Sequence, residues 1–370
     1  MAFPDGWRYR WPIAIHADSV ITSPVSAWPC LVTDVHFPAA AWDVMNADAS
    51  DLRFSSDEAG LSELYYDAPR ISVAGESAHL YVQVPTLSST EDTTIWAWVG
   101  NAKATAPSAA WMQATYPDEF LAVFAFQEGS GLVSAERTGG TDATLSATID
   151  WITAPFGNYA LQMEDAEAAL LDDGGPLAAG FANCSMLIRM APNEPGEEAD
   201  GGSIAGRFAD GGSARDTMVD WSFVWTGLGA GKIYRGRLSN VALNSTTAPA
   251  NGEWVTLALT KAGVNAAFYV NGISEDTTGA AAATLNTNYS MTRIGSAKGD
   301  TYCGADIQVE SFYLLNRAAT PDEVKVHHAQ YSAPGTWASA GELVAVGGGA
   351  VLPMFGGYNL GKSLLRGANL

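Results

Sequence analysis

Positive charge is scarce in this chain. Only 19 Lys and Arg stand against 40 Asp and Glu in 370 residues, a formal net charge of −21. Such a surface repels a phosphate backbone or an anionic membrane, so no nucleic-acid partner is expected. Cysteine is almost absent: Cys30, Cys184 and Cys303 are widely spaced and odd in number, and no CxxC or Cys/His cluster accompanies them. That excludes a paired disulfide framework and a zinc site, and the three read as buried thiols. Long apolar runs are also missing. The most hydrophobic stretch, Leu343 to Gly357, is broken by five glycines and Pro353, so no membrane span is expected. The opening residues, Met1 to Trp7, have neither the basic nor the apolar region of an export leader, and export by a secretion signal is not expected.

Catalytic signatures are missing as well. A retaining glycoside hydrolase built on a central strand needs alternating carboxylates on one face, and no Glu-x-Asp-x-x-Glu pattern occurs. Glu164-Asp165-Ala166-Glu167 has the wrong spacing and reads as a solvated acidic turn, while Asp172-Asp173 and Glu197-Glu198 lie in Gly/Pro-rich loops. There is no Gly-x-Ser-x-Gly elbow, and none of the five histidines stands beside a convincing nucleophile. His327 and His328 are adjacent, so on a helix they diverge by about 100° and cannot share a metal as i, i+4 histidines do. The chain therefore reads as non-enzymatic.

What is present is apolar material in short strands. Hydrophobic residues make up 47% and charged residues 16%, ample for the cores of two domains. Segments such as Leu80–Val84 and Thr93–Val99 alternate and are bounded by Pro, Gly, Asp or Ser, an all-β pattern. Trp11-Pro12 and Val84-Pro85 fall at strand ends or edges, where a missing N–H costs little. Segment 101–118 is rich in Ala, Ser and Pro and reads as a connection, with the linker itself at 106–118.

Two resemblances sharpen this. The order WRYRWPIAI, ASDLRFSSDEAG, ELYYD and HLYVQVPTLSSTEDTTIWAWVGN is similar to a domain-of-unknown-function family that precedes laminin-G-like modules in bacterial and phage surface proteins. The likeness covers about residues 5–105 and implies a β-sandwich accessory domain, although Trp98-Val99 stands where that family usually carries two tyrosines. From Phe120 the chain resembles the concanavalin-A-like, laminin-G-like superfamily. The resemblance is carried by FLAVFAFQEGSGLVSAERTGG, FGNYALQME, NGEWVTLALTKAGVNAAFYVNGISE and the closing RIGSAKGDTYCGADIQVESFYLLNRAATPDEVKVHH. Within it Asn271-Gly272 predicts a type I′ hairpin turn. Thr320, Pro321 and Glu323 predict a capped helix start. The expected architecture is thus all-β: a sandwich at 1–105, a linker at 106–118, a jelly roll at 119–331 with a short C-terminal helix, and an extended Gly-rich tail at 332–370 that docks on a neighbour.

Functional residues are fewer. A sugar platform needs aromatics with polar partners. Trp221, Trp225 and Tyr234 with Asp220, Arg235 and Arg237 supply these types, although Trp221, Phe223 and Trp225 alternate onto one face, and such a stripe is more often core than an exposed platform. The superfamily resemblance implies one calcium, at Glu136 and Asp306, with Glu136 departing from the more usual Asp. Together these features point to a bacteriophage virion protein, on tail or head, assembled in the host cytoplasm. It would be a homo-oligomer contacting other virion subunits through its tail and host-surface glycans through its sandwich. A secreted adhesin or carbohydrate-binding module is the alternative, and a polysaccharide-degrading enzyme with loop-borne acids is the third.

Overall fold

The computed structural model describes residues 3–164, 167–173, 181–193, 203–208, 219–225, 233–238, 241–282, 284, 291–295 and 306–346. Strands pair antiparallel in four sheets that form two sandwiches. The first sandwich places a sheet centred on Tyr9–Ile15 and Thr93–Val99 against a three-stranded sheet of Val25–Thr33, Ser77–Leu87 and Tyr66–Ser72. Its core gathers Trp11, Ile13, Ile95 and Ala97 from one sheet with Cys30, Val32, Leu80 and Val82 from the other. Cys30 and Cys184 are buried, as expected, and Cys303 lies outside the described residues.

The second sandwich stacks two larger sheets. One runs in the order Val241–Asn244, Tyr234–Leu238, Val219–Trp225, Ser203–Phe208, Met291–Gly295, Ala168–Asp173, Ala143–Leu145, Val133–Ser134. The facing sheet is built around Ile307–Leu315, Asn183–Pro192, Val255–Ala262 and Asn265–Val270. Met186, Ile188 and Met190 point into this sandwich, as do Phe312 and Leu314. The intervening Leu187, Tyr313 and Leu315 point the other way and join the core of the first sandwich. Period-2 alternation thus sorts single strands between two cores. This is why Asn183–Pro192 is buried almost throughout, as a strand covered on both faces must be.

The helix Pro321–Ser332 fills the junction. Its N-terminus carries the expected capping box, Thr320 Oγ1 accepting from Glu323 N–H at 3.2 Å and Glu323 Oε2 from Thr320 N–H at 2.7 Å. Asp322 accepts from Ser23 N–H at 2.8 Å, and Gln330 Oε1 from Leu31 N–H at 3.2 Å, so the helix belongs to both sandwiches. The Asn271-Gly272 turn also forms as expected, with φ of 50° and 80° and Val270 paired to Ile273.

The connecting segment is pinned to the first sandwich: Ala109–Gln113 is helical, Tyr116 is buried, and its hydroxyl donates to Asp67 Oδ2 at 2.8 Å. One segment differs from expectation. The tail expected to serve a neighbour begins by serving its own chain. Ala338–Ala340 and Val344–Ala345 pair with Tyr9–Ile15, and residues 341–343 interrupt the pairing beside Pro12, which has no N–H to offer. Residues 347–370 lie outside the described residues.

Candidate functional site

Among the described residues, the sheet running from Val241–Asn244 to Val133–Ser134 presents an outward face. Residues directly opposite in a ladder share a face. One cross-sheet row therefore runs Ala242, Arg237, Ser222, Gly206, Arg293, Leu170, Thr144, Val133. Arg237, Arg293 and Leu170 are half-buried, and Ala242, Thr144 and Val133 exposed, while the neighbouring Leu238, Ile294 and Ala169 are in the core. Arg235 shares the outward face with Arg237 and donates from Nε to Asn244 Oδ1 at 2.8 Å.

The sugar platform assembled from sequence is thereby split. Arg235 and Arg237 are on this face, but Tyr234 is not: it is fully buried among core residues, its hydroxyl without a partner among the described residues and its phenol pushed well above the usual range by burial. Strand alternation puts neighbours on opposite faces, so Tyr234 cannot join the two arginines. Asp220, Trp221 and Trp225 lie on the strand Val219–Trp225, with Trp221 opposite Leu238 and Trp225 opposite Tyr234; their side chains lie outside the described residues.

Glu136 and Asp306, the implied calcium ligands, are not brought together. Glu136 bridges Phe124, which pairs with Phe312, and Asp306 lies six residues back along that strand, about 20 Å at strand rise. The Glu136 carboxylate accepts from the N–H groups of Val123, Thr138 and Gly140, at 2.8, 2.9 and 2.5 Å, and from the Thr138 hydroxyl at 3.0 Å. Oxygens surrounded by donors are poor cation ligands, so the residues do not fit the ion. Glu136 organises its loop instead. Glu136→Ala is expected to cost about 1–3 kcal/mol by stranding those donors, and its melting shift is expected to be the same in calcium as in chelator. Among the described residues no cluster of three or more His, Cys, Asp or Glu could hold a metal.

The junction holds a polar cluster that sequence reasoning missed. His79 Nδ1 lies 3.0 Å from Asn158 Oδ1 and its Nε2 2.9 Å from the Tyr81 hydroxyl, which meets Tyr331 at 2.5 Å. Asn158 Nδ2 donates to Glu310 Oε1 at 2.8 Å, and Arg189 approaches the other Glu310 oxygen at 3.8 Å. Burial pushes Glu310 up to about 7, the range of a general acid. Yet Glu310 is 2% exposed and sealed by these partners, so no substrate bond can reach it. The cluster locks the sandwiches together. In the acidic turn, Glu167 is also structural, accepting from Glu164 N–H at 2.8 Å; Asp165 lies outside the described residues.

Residues 196–325 match the model of a family described as the concanavalin A-like lectin/glucanases superfamily, Laminin_G_3. The second sandwich is a concanavalin-A-like domain. Among solved structures, the chain is similar to Trypanosoma rangeli sialidase in complex with sialic acid, at 12% identity and a TM-score of 0.45, over 69% of this chain and 42% of that one. It is also similar to domain 4 of AbnA, a GH43 extracellular arabinanase from Geobacillus stearothermophilus, in complex with arabinotriose. There the identity is 16%, the TM-score 0.44, and the coverage 56% of this chain and 97% of that one. A third is botulinum neurotoxin type C, which interacts with two ganglioside molecules, at 12% identity, 58% and 51% coverage and a TM-score of 0.42. The chain spans less than half the length of the sialidase. No curated protein matches its sequence.

Proposed function

We propose that this chain is a non-enzymatic glycan-binding protein and a structural component of a bacteriophage virion, displayed on the tail or head, where its second sandwich contacts host-surface glycans. The observation that carries the glycan-binding reading is the outward sheet face. Its strands present half-buried Arg235, Arg237 and Arg293 beside exposed Thr144, whereas the other sheet of this sandwich is covered by the helix Pro321–Ser332 and the first sandwich. A broad sheet face that mixes arginines and hydroxyls with apolar side chains suits an extended saccharide. The first sandwich, fused through a buried interface, acts as a mount. The virion placement draws on the strong acidity, which suits dense display, and on the glycine-rich, apolar sequence after Val346, which suits anchoring.

The test is binding of labelled full-length protein to candidate host cells and a glycan panel, with calcium and with chelator, followed by antibody labelling of particles released by lysis. Saturable, sugar-competed binding without release of reducing ends is expected, together with labelled particles. Released reducing ends would replace the binding role with hydrolysis. Binding without labelled particles would favour a secreted adhesin.

A further inference from the structure

The strands Asp150–Thr153 and Tyr159–Met163 form a hairpin whose turn runs through Pro155, Phe156 and Gly157. Phe156 has φ 61° and ψ 24°, the left-handed region that Cβ sterics leave mainly to glycine and asparagine. A bulky residue held there normally gains something by burial. Phe126, at φ 48°, does so, because it is fully buried in the core of the second sandwich. Phe156 does not. It is 48% exposed, and the turn faces open space, since a Cβ added at Gly157 would meet nothing within 4 Å. Among the described residues, Phe156 alone is a large apolar residue that is both left-handed and exposed.

The surroundings hold the turn in this state, as a strained residue requires. Ala154 N–H donates to Asn158 O at 2.8 Å across the turn, and the Asn158 side chain is anchored in the junction cluster. Gln127 clamps the next residue, its Oε1 accepting from Tyr159 N–H at 3.1 Å and its Nε2 donating to Tyr159 O at 3.0 Å. From the first sandwich Arg70 reaches the turn itself: Nη1 donates to Gly157 O at 2.9 Å, and the guanidinium carbon lies 4.9 Å from the centre of the Tyr159 ring. With a second, longer bond from Nη2 to Asn158 Oδ1 at 3.4 Å, Arg70 uses two of its five donors. The result is an exposed aromatic ring on a fixed mount beside a guanidinium. An aromatic side chain with a few fixed polar groups suits a sugar ring, whereas one ring is far short of the area a stable protein interface buries.

We propose that Phe156 is a stacking contact for a sugar ring, with Arg70 beside it donating to a sugar hydroxyl, at the seam between the two sandwiches and apart from the sheet face described above. This rests on the glycan-binding reading. The test titrates full-length protein and its Phe156→Asn, Phe156→Gly and Phe156→Tyr variants with a glycan panel that includes lactose, 3′-sialyllactose, cellohexaose and chitohexaose. The first two substitutions suit the left-handed backbone and remove the ring, whereas the third keeps a ring. Sugars bound by the parent are expected to bind at least about tenfold more weakly to Phe156→Asn and Phe156→Gly, as loss of an aromatic anchor implies, and within about threefold of the parent to Phe156→Tyr. The two ringless variants are expected to melt no lower than the parent, because no buried contact is lost and the backbone is relieved. Parent-like binding by both overturns the Phe156 contact and leaves glycan binding standing. A fall of several degrees in their melting temperatures also overturns it, by making the ring a packing residue. So does a loss of oligomers with unchanged sugar binding, which assigns the ring to a protein interface. Binding of the parent to no member of the panel removes both readings.

Discussion

Between pH 7 and pH 4 the protein is expected to lose on the order of 6 kcal/mol of stability, as much as many domains possess. The cause is histidine burial at the junction. His79 and His327 are fully buried and held down to about 3, and His328 down to about 4, each chiefly by desolvation. In the unfolded chain all three accept protons below about pH 6.5. The folded state cannot follow until pH 3 to 4, so stability falls as pH drops through that window. Glu310 works in the opposite sense. Its folded value of about 7 lies above that of the unfolded chain, so it adds stability as pH falls from 7 towards 4.5 and nothing further below. Three histidines outweigh one carboxyl: the net loss is about 3 kcal/mol at pH 5 and about 6 at pH 4, at about 1.4 kcal/mol per shifted unit. Urea titrations followed by tryptophan fluorescence from pH 8 to pH 4 measure this directly. His327 offers a separate handle, because among the described residues neither ring nitrogen has a partner, while its ring packs 4.7 Å from Tyr313 and 5.2 Å from Tyr331. Replacing it by an apolar residue strands nothing. His327→Leu is therefore expected to be neutral or stabilising at pH 7 and to move the acid midpoint downward. An unchanged midpoint would sink the histidine account.

The same residues separate what the sequence could reveal from what it could not. Elements set by neighbours in the chain were legible: the Asn271-Gly272 hairpin, the Thr320–Glu323 capping box and the alternating strands all follow from local chemistry. Alternation also parts Tyr234 from the arginines, since residue 234 shares a face with Gly236 and Leu238 and not with Arg235 or Arg237. Residue type alone groups the three, and strand periodicity overrides it. The junction was not legible. Tyr81 meets Tyr331 across 250 residues of sequence, and Asn158 meets Glu310 across 152, pairings that no spacing rule encodes. The helix Pro321–Ser332 is enclosed from both sides, burying Val324, Val326, His327, Gln330 and Tyr331, so it lacks the apolar stripe that would announce a docked helix. The arginine face was half legible: Arg235 and Arg237 came from one segment, but Arg293 joins them only through the order of strands in the sheet.

A chain ending at Tyr331 is expected to be far less stable than one ending at Val346, melting about 10 °C lower or more for a loss near 5 kcal/mol. Both cuts remove the glycine-rich tail, but only the first removes part of the first sandwich. Residues 332–346 carry Trp337, 3% exposed in the shared core, and truncation of a buried Trp alone costs about 3–5 kcal/mol. They also supply acceptors and ladder partners. Pro334 O lies 2.9 Å from His36 Nε2, Trp337 O accepts from His16 N–H at 2.9 Å, and Ala338–Ala340 pairs with Ile13–Ile15. His36 is fully buried, so losing its partner strands a ring nitrogen in the core, at a further cost of about 1–3 kcal/mol. Thermal melts of the two truncated chains, monitored by circular dichroism and tryptophan fluorescence, distinguish the two cases. Equal melting temperatures would mean that the returning strand contributes nothing to the first sandwich. The outcome also fixes how the docking tail can be tested: loss of oligomers on cutting at Tyr331 would report a damaged sandwich, whereas loss on cutting after Val346 would report the tail itself.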